Sequence, residues 1–408
     1  MAEKQYWASV PDDQIGSEIM GKVDSYKTYV ENTLIKSLQK SYNYFFCETD
    51  IINISEAIKA IHVNHYGSLT RNIYSMVTSQ RPAWDPRGEN TDSVTQTNTK
   101  LARGLLDFYM RERRFEQIIN KSTLQCLFLK EAWVSLKWNV HAGKLKGSDP
   151  ETGLPIYEGD IECNTHTILD ITRDVCRRDM KHQWYIVRTF ENKWDLAAMM
   201  PEMADKITAI MPDNKFDTKF ELNTRDMTNT KIGETDLIPV YTLYHDRCPA
   251  LPSGRMVMCL AAYVCLDYGP LPFKRPYVFP ITPGEQFESA FGHSNLMDLM
   301  PVQDAFNIAM SSILTNIAAN GVQNFQCPKG GSPNIRKLKN GMNLLEYDPK
   351  AGKLEPIELL RTAPEVYKFV EMMQATQETL SNVSQIGRGN APPTMSGTAM
   401  ALLQQQSI

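Results

Sequence analysis

Apolar residues recur at three- and four-residue spacing through the first third of the chain. This pattern covers residues 15–46, 55–79 and 91–130, and it is the periodicity of amphipathic helices. Between the last two ranges, residues 80–90 are rich in proline and glycine and interrupt any helix. The pattern therefore predicts one helical layer over residues 15–130.

The spacing then changes to the alternation that is typical of strands. Strands are predicted at 132–140, 156–171, 184–190, 237–245 and 256–266. The same stretch predicts a polar hairpin at 143–153, a helix at 193–211, a polar loop at 212–234 and an extended segment at 270–283. Residues 131–290 are therefore expected to form a mixed α/β region.

Two long helices are predicted in the last third. Ser294 can cap a helix over 295–319, and Thr362 with Glu365 can form a capping box for a second helix that ends at Ile386. At about 1.5 Å per residue each would be roughly 36 Å long, and matched lengths favour an antiparallel pair. The first helix has an apolar stripe at Leu299, Val302, Phe306, Met310, Ile313 and Ile317, and an opposite polar stripe at Asp304, Asn307, Ser311 and Thr315.

The segments beside these helices carry distinctive charge. No acidic residue lies between Ala305 and Leu345, and this stretch contains four basic ones, all within the insert at 321–360: Lys329, Arg336, Lys337 and Lys339. Residues 387–397 are small, flexible and polar, with Arg388 as their only charge. Residues 398–408 resemble the start of a further helix that stops early.

Composition narrows the function classes. The chain has 408 residues, 42% apolar, with a formal net charge of -4, which excludes a disordered protein and a protein held to nucleic acid by bulk charge. No apolar run reaches the roughly 20 residues of a membrane span, and the charged first ten residues do not read as a signal peptide, so synthesis in the cytosol is expected. The eight cysteines form no CxxC pair and are expected to be free thiols.

Catalytic motifs are missing from the sequence. It contains no phosphate-binding loop, no HExxH and no GxSxG, each of which carries a specific chemistry. His62 and His65 have metal-ligand spacing on a predicted helix, but no second pair of ligands accompanies them. We expect no catalytic residue, no cofactor and no metal site, and therefore a protein that is not an enzyme.

Four blocks resemble the portal (head-to-tail connector) proteins of tailed double-stranded DNA bacteriophages. Residues 92–139, which end in Lys-Glu-Ala-Trp-Val-Ser-Leu-Lys-Trp-Asn, resemble the family's helix leading into its first strand. Residues 291–307, with their Gln-Asp-x-x-Asn run, are similar to the start of the first stem helix. The segments 321–360 and 387–400 resemble the family's clip and its tunnel loop.

The resemblance implies an α+β portal fold assembled as a ring, usually of about twelve subunits. The implied divisions are a wing (1–290), stem helices (291–320 and 361–386), a clip (321–360), a tunnel loop (387–397) and the start of a wing helix (398–408). Such a ring sits at one capsid vertex in the virion, nucleates head assembly and carries DNA during packaging and ejection. Its implied partners are double-stranded DNA without sequence preference, the terminase, the tail adaptor, and the major capsid and scaffolding proteins, with no membrane.

The same resemblance implies roles for individual residues. The tunnel loop would face DNA through Arg388, Asn390, Thr394 and Ser396. Glu371 and Glu378 would line the channel, because few positive charges should meet a passing polyanion; the alternative is that they face a neighbouring subunit or the outer solvent. The basic residues of the clip would face the terminase and the adaptor. Subunit packing would use Leu299, Val302, Phe306, Met310, Ile313, Val370, Met373 and Leu380.

Two other functions stay open at this point. The chain could be another virion or cytoplasmic scaffold protein without a DNA channel. It could also be a soluble enzyme whose dispersed His and Asp residues have no recognisable spacing.

Overall fold

The fold of the chain was analysed in a computed structural model. The structure describes residues 6–46, 60–79, 84–148, 155–178, 180–209, 236–260, 265–320, 325–326, 355–356 and 364–381. Its helices are α1 (Ile15–Thr33), α2 (Ile35–Phe46), α3 (His65–Val77), α4 (Ser93–Glu112), α5 (Phe115–Leu129), α6 (Lys193–Met199), α7 (Ala204–Ala209), α8 (Leu299–Asn320) and α9 (Pro364–Ser381).

The strands complete a mixed α+β fold, as the sequence predicts. They are β1 (Ala132–Asn139), β2 (Leu145–Ser148), β3 (Pro155–Tyr157), β4 (Asp160–Thr167), β5 (Ile171–Thr172), β6 (Trp184–Asn192), β7 (Leu237–His245), β8 (Arg255–Leu260), β9 (Cys265–Gly269), β10 (Val278–Ile281), β11 (Gly284–Glu285), β12 (Gly292–His293), β13 (Phe325–Gln326) and β14 (Glu355–Pro356).

The largest sheet is antiparallel and has the strand order β5-β6-β7-β8-β9. Helix α1 covers one face of it, because Ile15, Ile19 and Val23 lie at helical spacing and pack in one cluster with Trp184 and Val257 of the sheet. A second sheet has the order β10-β1-β4. The alternating pattern of the middle region therefore becomes two antiparallel sheets.

The helical layer shares one core with the start of α8. Residues of α2, α3 and α5, including Leu38, Leu69 and Leu129, pack in a cluster that also contains Leu296 and Leu299. This core joins the first third of the chain to the last third. It fixes where α8 begins relative to the sheets.

Several predicted elements are divided in the structure. The helix predicted over 15–46 breaks at Leu34, and the one predicted over 91–130 breaks at Arg113 and Arg114, where Arg114 has a φ of 50°. Strand β8 and strand β9 replace the single strand predicted over 256–266. Apolar periodicity continues across each break, so it could not locate them.

The prediction of a helix over 55–79 is wrong in part. Residues 60–64 are not helical, and α3 begins only at His65. His62 and His65 are therefore not one turn apart on a helix, and the His65 ring lies against Phe306, with ring centroids 4.7 Å apart. Residues 55–59 lie outside the described part of the chain.

The start of the first long helix also differs from the prediction. Ser294 makes no side-chain capping bond. Its hydroxyl instead donates to the Leu127 carbonyl at 2.5 Å, and a 3-10 turn over Asn295–Asp298 precedes α8. The predicted caps of the second helix, Thr362 and Ile386, lie outside the described residues, as do the predicted loop at 212–234 and the predicted helix start at 398–408.

Candidate functional site

One face of α8 buries polar side chains where an amphipathic helix would bury apolar ones. Gln303, Asn307 and Ser311 are all buried and lie four residues apart, so they project in one row along the helix. They bind the backbone of residues 61–66, which runs beside the helix. We call these three side chains and this backbone the polar seam.

The seam pairs successive side chains with alternate backbone residues. The Ile61 N–H donates to the Ser311 hydroxyl at 3.0 Å, and the Val63 N–H donates to the Asn307 Oδ1 at 3.2 Å. Four helical residues rise about 6.0 Å and two extended residues span about 6.6 Å. These two repeats nearly match, so an extended segment can bond to every turn of the helix.

Gln303 is the junction of the seam. Its Nε2 donates to the Val63 carbonyl at 2.8 Å, and its Oε1 accepts from the Tyr66 N–H at 3.1 Å, in the first turn of α3. The same Oε1 accepts from the Gln377 Nε2 of α9 at 3.3 Å. One amide thereby connects α8 with α3 and α9.

Asp304 adds an ionic contact beside the seam. Its carboxylate pairs with the Lys40 ammonium at 2.5 Å and accepts a hydrogen bond from the Tyr44 hydroxyl, both from α2. Burial of the phenol, together with this bond to Asp304, raises the pKa of Tyr44 well above its usual value. Tyr44 therefore stays neutral and acts as a donor to the carboxylate.

A buried ion pair lies at the entrance to α8. The Glu131 carboxylate accepts from the Arg173 guanidinium at 2.5 Å, from the Trp133 indole at 2.9 Å and from the Gly292 N–H at 2.9 Å. The Arg173 Nε donates to the Ala290 carbonyl at 3.2 Å. Burial alone would lower the pKa of Arg173, but the charge of Glu131, its hydrogen bond and the nearby Tyr26 and Tyr185 together raise this pKa above its usual value. The pair fixes the backbone just before α8.

The two long helices are antiparallel. Strand β13 follows α8, strand β14 precedes α9, and these two strands pair antiparallel. At the other end, Gln377 near the C-terminus of α9 meets Gln303 near the N-terminus of α8. The helices therefore form a hairpin, as the sequence predicts.

The hairpin leaves apolar side chains in water. The described buried residues of α9 are Gln377 and Ser381, both polar, whereas Met372 is 54% exposed. On α8, Ile317 is 56% exposed. Since burying such a side chain is worth about 1.5–3 kcal/mol, the exposed apolar groups of the hairpin are available to stabilise a contact with another surface. They are Ile308, Ile317, Tyr367, Phe369, Met372 and Leu380.

Helix α4 also exposes a row of apolar side chains. None of its residues is buried, and Leu101 is 72% exposed. Leu101, Leu105 and Phe108 form one apolar row at helical spacing. The apolar periodicity over 91–130 predicts a helix here but gives no sign that this row stays uncovered in a single chain.

The predicted subunit-packing residues fall into two groups. Leu299, Phe306 and Ile313 are buried within the chain itself. The others retain exposed area, fully or in part: Val302, Met310, Val370, Met373 and Leu380. Their role in subunit packing stays a prediction.

The remaining predicted site residues are either on α9 or outside the described chain. Glu371 is exposed and Glu378 partly exposed. Outside the described residues lie the predicted tunnel-loop and clip groups: Arg388, Asn390, Thr394, Ser396, Lys329, Arg336, Lys337 and Lys339. The junction residue Gln303 was missed by the sequence reasoning, although its four-residue spacing from Asn307 and Ser311 was a usable signal.

The described residues contain no group of three or more His, Cys, Asp or Glu side chains that could hold a metal ion. Among the helices of the described part, none is both long and apolar enough to cross a bilayer. Comparison of the sequence with models of known protein families and with curated proteins finds no match.

Proposed function

We propose that this chain is the subunit of a bacteriophage portal, a ring through which double-stranded DNA enters and leaves a capsid. The observation that carries the proposal is the α8–α9 hairpin, whose two helices expose apolar side chains while the buried residues of α9, Gln377 and Ser381, are polar. A stem that packs only in a ring would have these properties. The order of the sequence blocks that resemble portal proteins supports the same assignment.

The exposed apolar groups favour another copy of the chain as the partner. Met372 and Ile317 lie on different helices of one hairpin, so two different faces are available. A contact between unlike faces of identical chains repeats around an axis, and it closes into a ring when the rotation permits. Such a contact would remove the exposed apolar area from water.

Passage of DNA requires a wall that does not bind it tightly. Each neutralised phosphate adds affinity through release of counterions, which would slow translocation. The chain has a net charge of -4, and a ring multiplies that charge by its subunit number. In this proposal Glu371 and Glu378 line the channel, Arg388 contacts phosphate from the loop, and the basic residues of the clip meet the terminase and the tail adaptor.

The assembly state tests the proposal. We expect native mass spectrometry of the purified chain to show one large closed oligomer, and negative-stain images to show rings with a hole wide enough for duplex DNA. A monomer, a dimer or an oligomer without a central hole would argue against a portal. Rings that have a central hole but do not bind terminase would indicate a ring-forming protein with another function.

A matched pair of substitutions tests the role of the hairpin. Met372→Lys places a charge in the exposed apolar face of α9, and we expect the ring to dissociate into smaller species. Gln374→Lys introduces the same charge at an exposed polar position two residues away and should leave the assembly intact. Equal effects of the two substitutions would contradict the proposed packing face.

A further inference from the structure

Two cysteines face each other across the edge of the five-stranded sheet. Cys259 of β8 and Cys265 of β9 are paired in register, and β9 is the last strand of that sheet. Directly opposed residues of antiparallel strands have Cα atoms about 4.5–5.5 Å apart, and disulfides join Cα atoms about 4.4–6.8 Å apart. The in-register pairing therefore brings the two cysteines into the range that a disulfide can join.

This pair differs from the other described cysteines. Cys163 is opposite Leu136 in its sheet, and Cys248 bridges to Leu251. Cys126 is buried on α5. Among the six cysteines that the structure describes, Cys259 and Cys265 are the two that lie in register on neighbouring strands.

The surroundings give the two thiols different exposure. Cys259 is fully buried in the cluster under α1, and Cys265 packs against the same cluster but is only partly buried. Burial raises the pKa of the Cys259 thiol to about 12. Burial also raises the pKa of Cys265, although a hydrogen bond from the Gly16 N–H opposes that shift. Gly16 belongs to the first turn of α1, where a helix favours negative charge.

We propose that Cys259 and Cys265 form a reversible intramolecular disulfide when the protein meets a peroxide. Cys265 is the attacking residue, because it is the more exposed of the two and its sulfur accepts the Gly16 N–H. Cys259 is the resolving residue, because it lies across the strand pair. A solvent-accessible cysteine beside a resolving partner is a recurrent arrangement in redox-sensitive sites, and Cys265 is the more accessible cysteine of this pair.

The reaction balances with hydrogen peroxide as the oxidant. The Cys265 thiolate attacks one peroxide oxygen, the O–O bond breaks, and hydroxide leaves and takes up a proton to give water. The Cys259 thiolate then attacks the resulting Cys265 sulfenic acid, the S–O bond breaks, and a second water leaves as the S–S bond forms. Two thiols are oxidised and one peroxide is reduced to two waters.

The bond would tie the edge strand to its neighbour. The β8–β9 register shifts between Met258 and Cys259, so the pair lies where the strand pairing is irregular. A covalent link there holds β9 in place beside the N-terminus of α1. The inference concerns the sheet alone, and it stands or falls independently of the proposed ring.

Peptide mapping of the full chain tests the inference. The reduced protein is treated with hydrogen peroxide, its remaining thiols are alkylated, and it is cleaved after Arg255 and Lys274. The resulting peptide, residues 256–274, carries both cysteines of the pair and no others. We expect this peptide to lose about 2 Da and to resist alkylation. If it keeps two alkylatable thiols while the exposed Cys176 is oxidised, the inference is wrong.

Single variants distinguish the two roles. Cys259→Ser should leave a Cys265 sulfenic acid that dimedone traps, whereas Cys265→Ser should leave Cys259 as an unreacted thiol. Cys126→Ser is the matched control for loss of a buried thiol and should still form the disulfide. Reversal of the trapping pattern, or a disulfide from Cys265 to a cysteine outside the 256–274 peptide, would overturn the assignment.

The pH dependence of the rate adds a measurement that needs no variant. The thiolate is the reactive form, and both thiols have raised pKa values. Disulfide formation should therefore accelerate about tenfold from pH 7 to pH 8, because the thiolate fraction grows tenfold per unit below the pKa. A rate that does not change with pH would rule out thiolate attack.

Discussion

At the scale of single residues, the Glu131–Arg173 pair is the most consequential charged contact of the described chain. Both side chains are fully buried, and a buried ion pair recovers its desolvation cost only when every polar atom is well bonded. Here the carboxylate has three donors. The guanidinium also lies over the Phe291 ring, 4.5 Å from its centroid. The pair therefore determines how the chain enters α8 more than it adds net stability.

Removal of one partner should be strongly destabilising. We expect Arg173→Met to lower the free energy of unfolding by about 3–5 kcal/mol, because it leaves the Glu131 carboxylate buried without a cation. Urea unfolding followed by circular dichroism measures this change. Arg178→Met is the control, since Arg178 pairs with Glu288 at an exposed site, and its effect should stay below about 1 kcal/mol.

The sequence could not identify this pair. Glu131 and Arg173 are separated by 42 residues, and each has the ordinary surroundings of a surface charge in the sequence. Only the meeting of the α5–β1 junction with the segment after β5 buries them together. If Arg173→Met and Arg178→Met lower the free energy of unfolding by the same amount, burial does not make the Glu131–Arg173 pair more important than an exposed pair.

At the scale of elements, the polar seam explains why residues 60–64 are not helical. Their backbone groups bond to side chains of α8, and these bonds compensate for the helical hydrogen bonds that the segment gives up. Gln303 also satisfies the Tyr66 N–H in the first turn of α3. In that turn a helix has no partner of its own for its N–H groups.

Two glutamines of the same contact should respond differently to replacement. Gln303→Leu leaves the buried Tyr66 N–H without its partner, at a cost of about 1–3 kcal/mol, whereas the Val63 carbonyl still accepts from the His65 N–H. Gln377→Leu removes a buried amide whose Oε1 has no partner among the described residues, so its effect should stay within about 1 kcal/mol.

Hydrogen exchange gives a local readout of the same change. The Tyr66 amide should exchange at least about tenfold faster in the Gln303→Leu protein, which corresponds to about 1.4 kcal/mol of lost protection, and it should be unchanged in the Gln377→Leu protein. If the two variants expose this amide equally, the bond from Gln303 does not protect it.

The elements themselves were largely predictable from periodicity. Strands β1, β6 and β7 and the two long helices overlap the positions that the pattern predicts. The pattern failed at residues 60–64, since a helix 244 residues away, represented by Asn307, supplies the partner of Val63. It also failed to predict the exposed row of α4, because periodicity identifies an apolar face and not what covers it.

At the scale of the whole molecule, charge and exposed apolar area point to different contacts. The exposed apolar groups of the hairpin, such as Met372, favour contact between copies of the chain. Glu371 is adjacent in sequence but projects about 100° away around the helix, so one helix can meet a neighbouring subunit and present acidic side chains elsewhere. In a ring, this arrangement would give acidic walls without placing charge in the subunit contact.

Reversal of both glutamates tests that arrangement on the proposed ring. We expect Glu371→Lys with Glu378→Lys to raise its affinity for duplex DNA and to steepen the dependence on salt, because each added phosphate contact contributes about 0.9 to the slope of log K against log salt. Fluorescence anisotropy of a labelled duplex measures the affinity and its dependence on salt. The titrations run from about 50 to about 200 mM salt, over which such contacts weaken. Packaging by the same ring should slow, since DNA would be held by the wall. The double variant Glu18→Lys with Glu202→Lys makes the same charge change at exposed positions outside the hairpin. If it changes DNA binding equally, Glu371 and Glu378 do not face the channel.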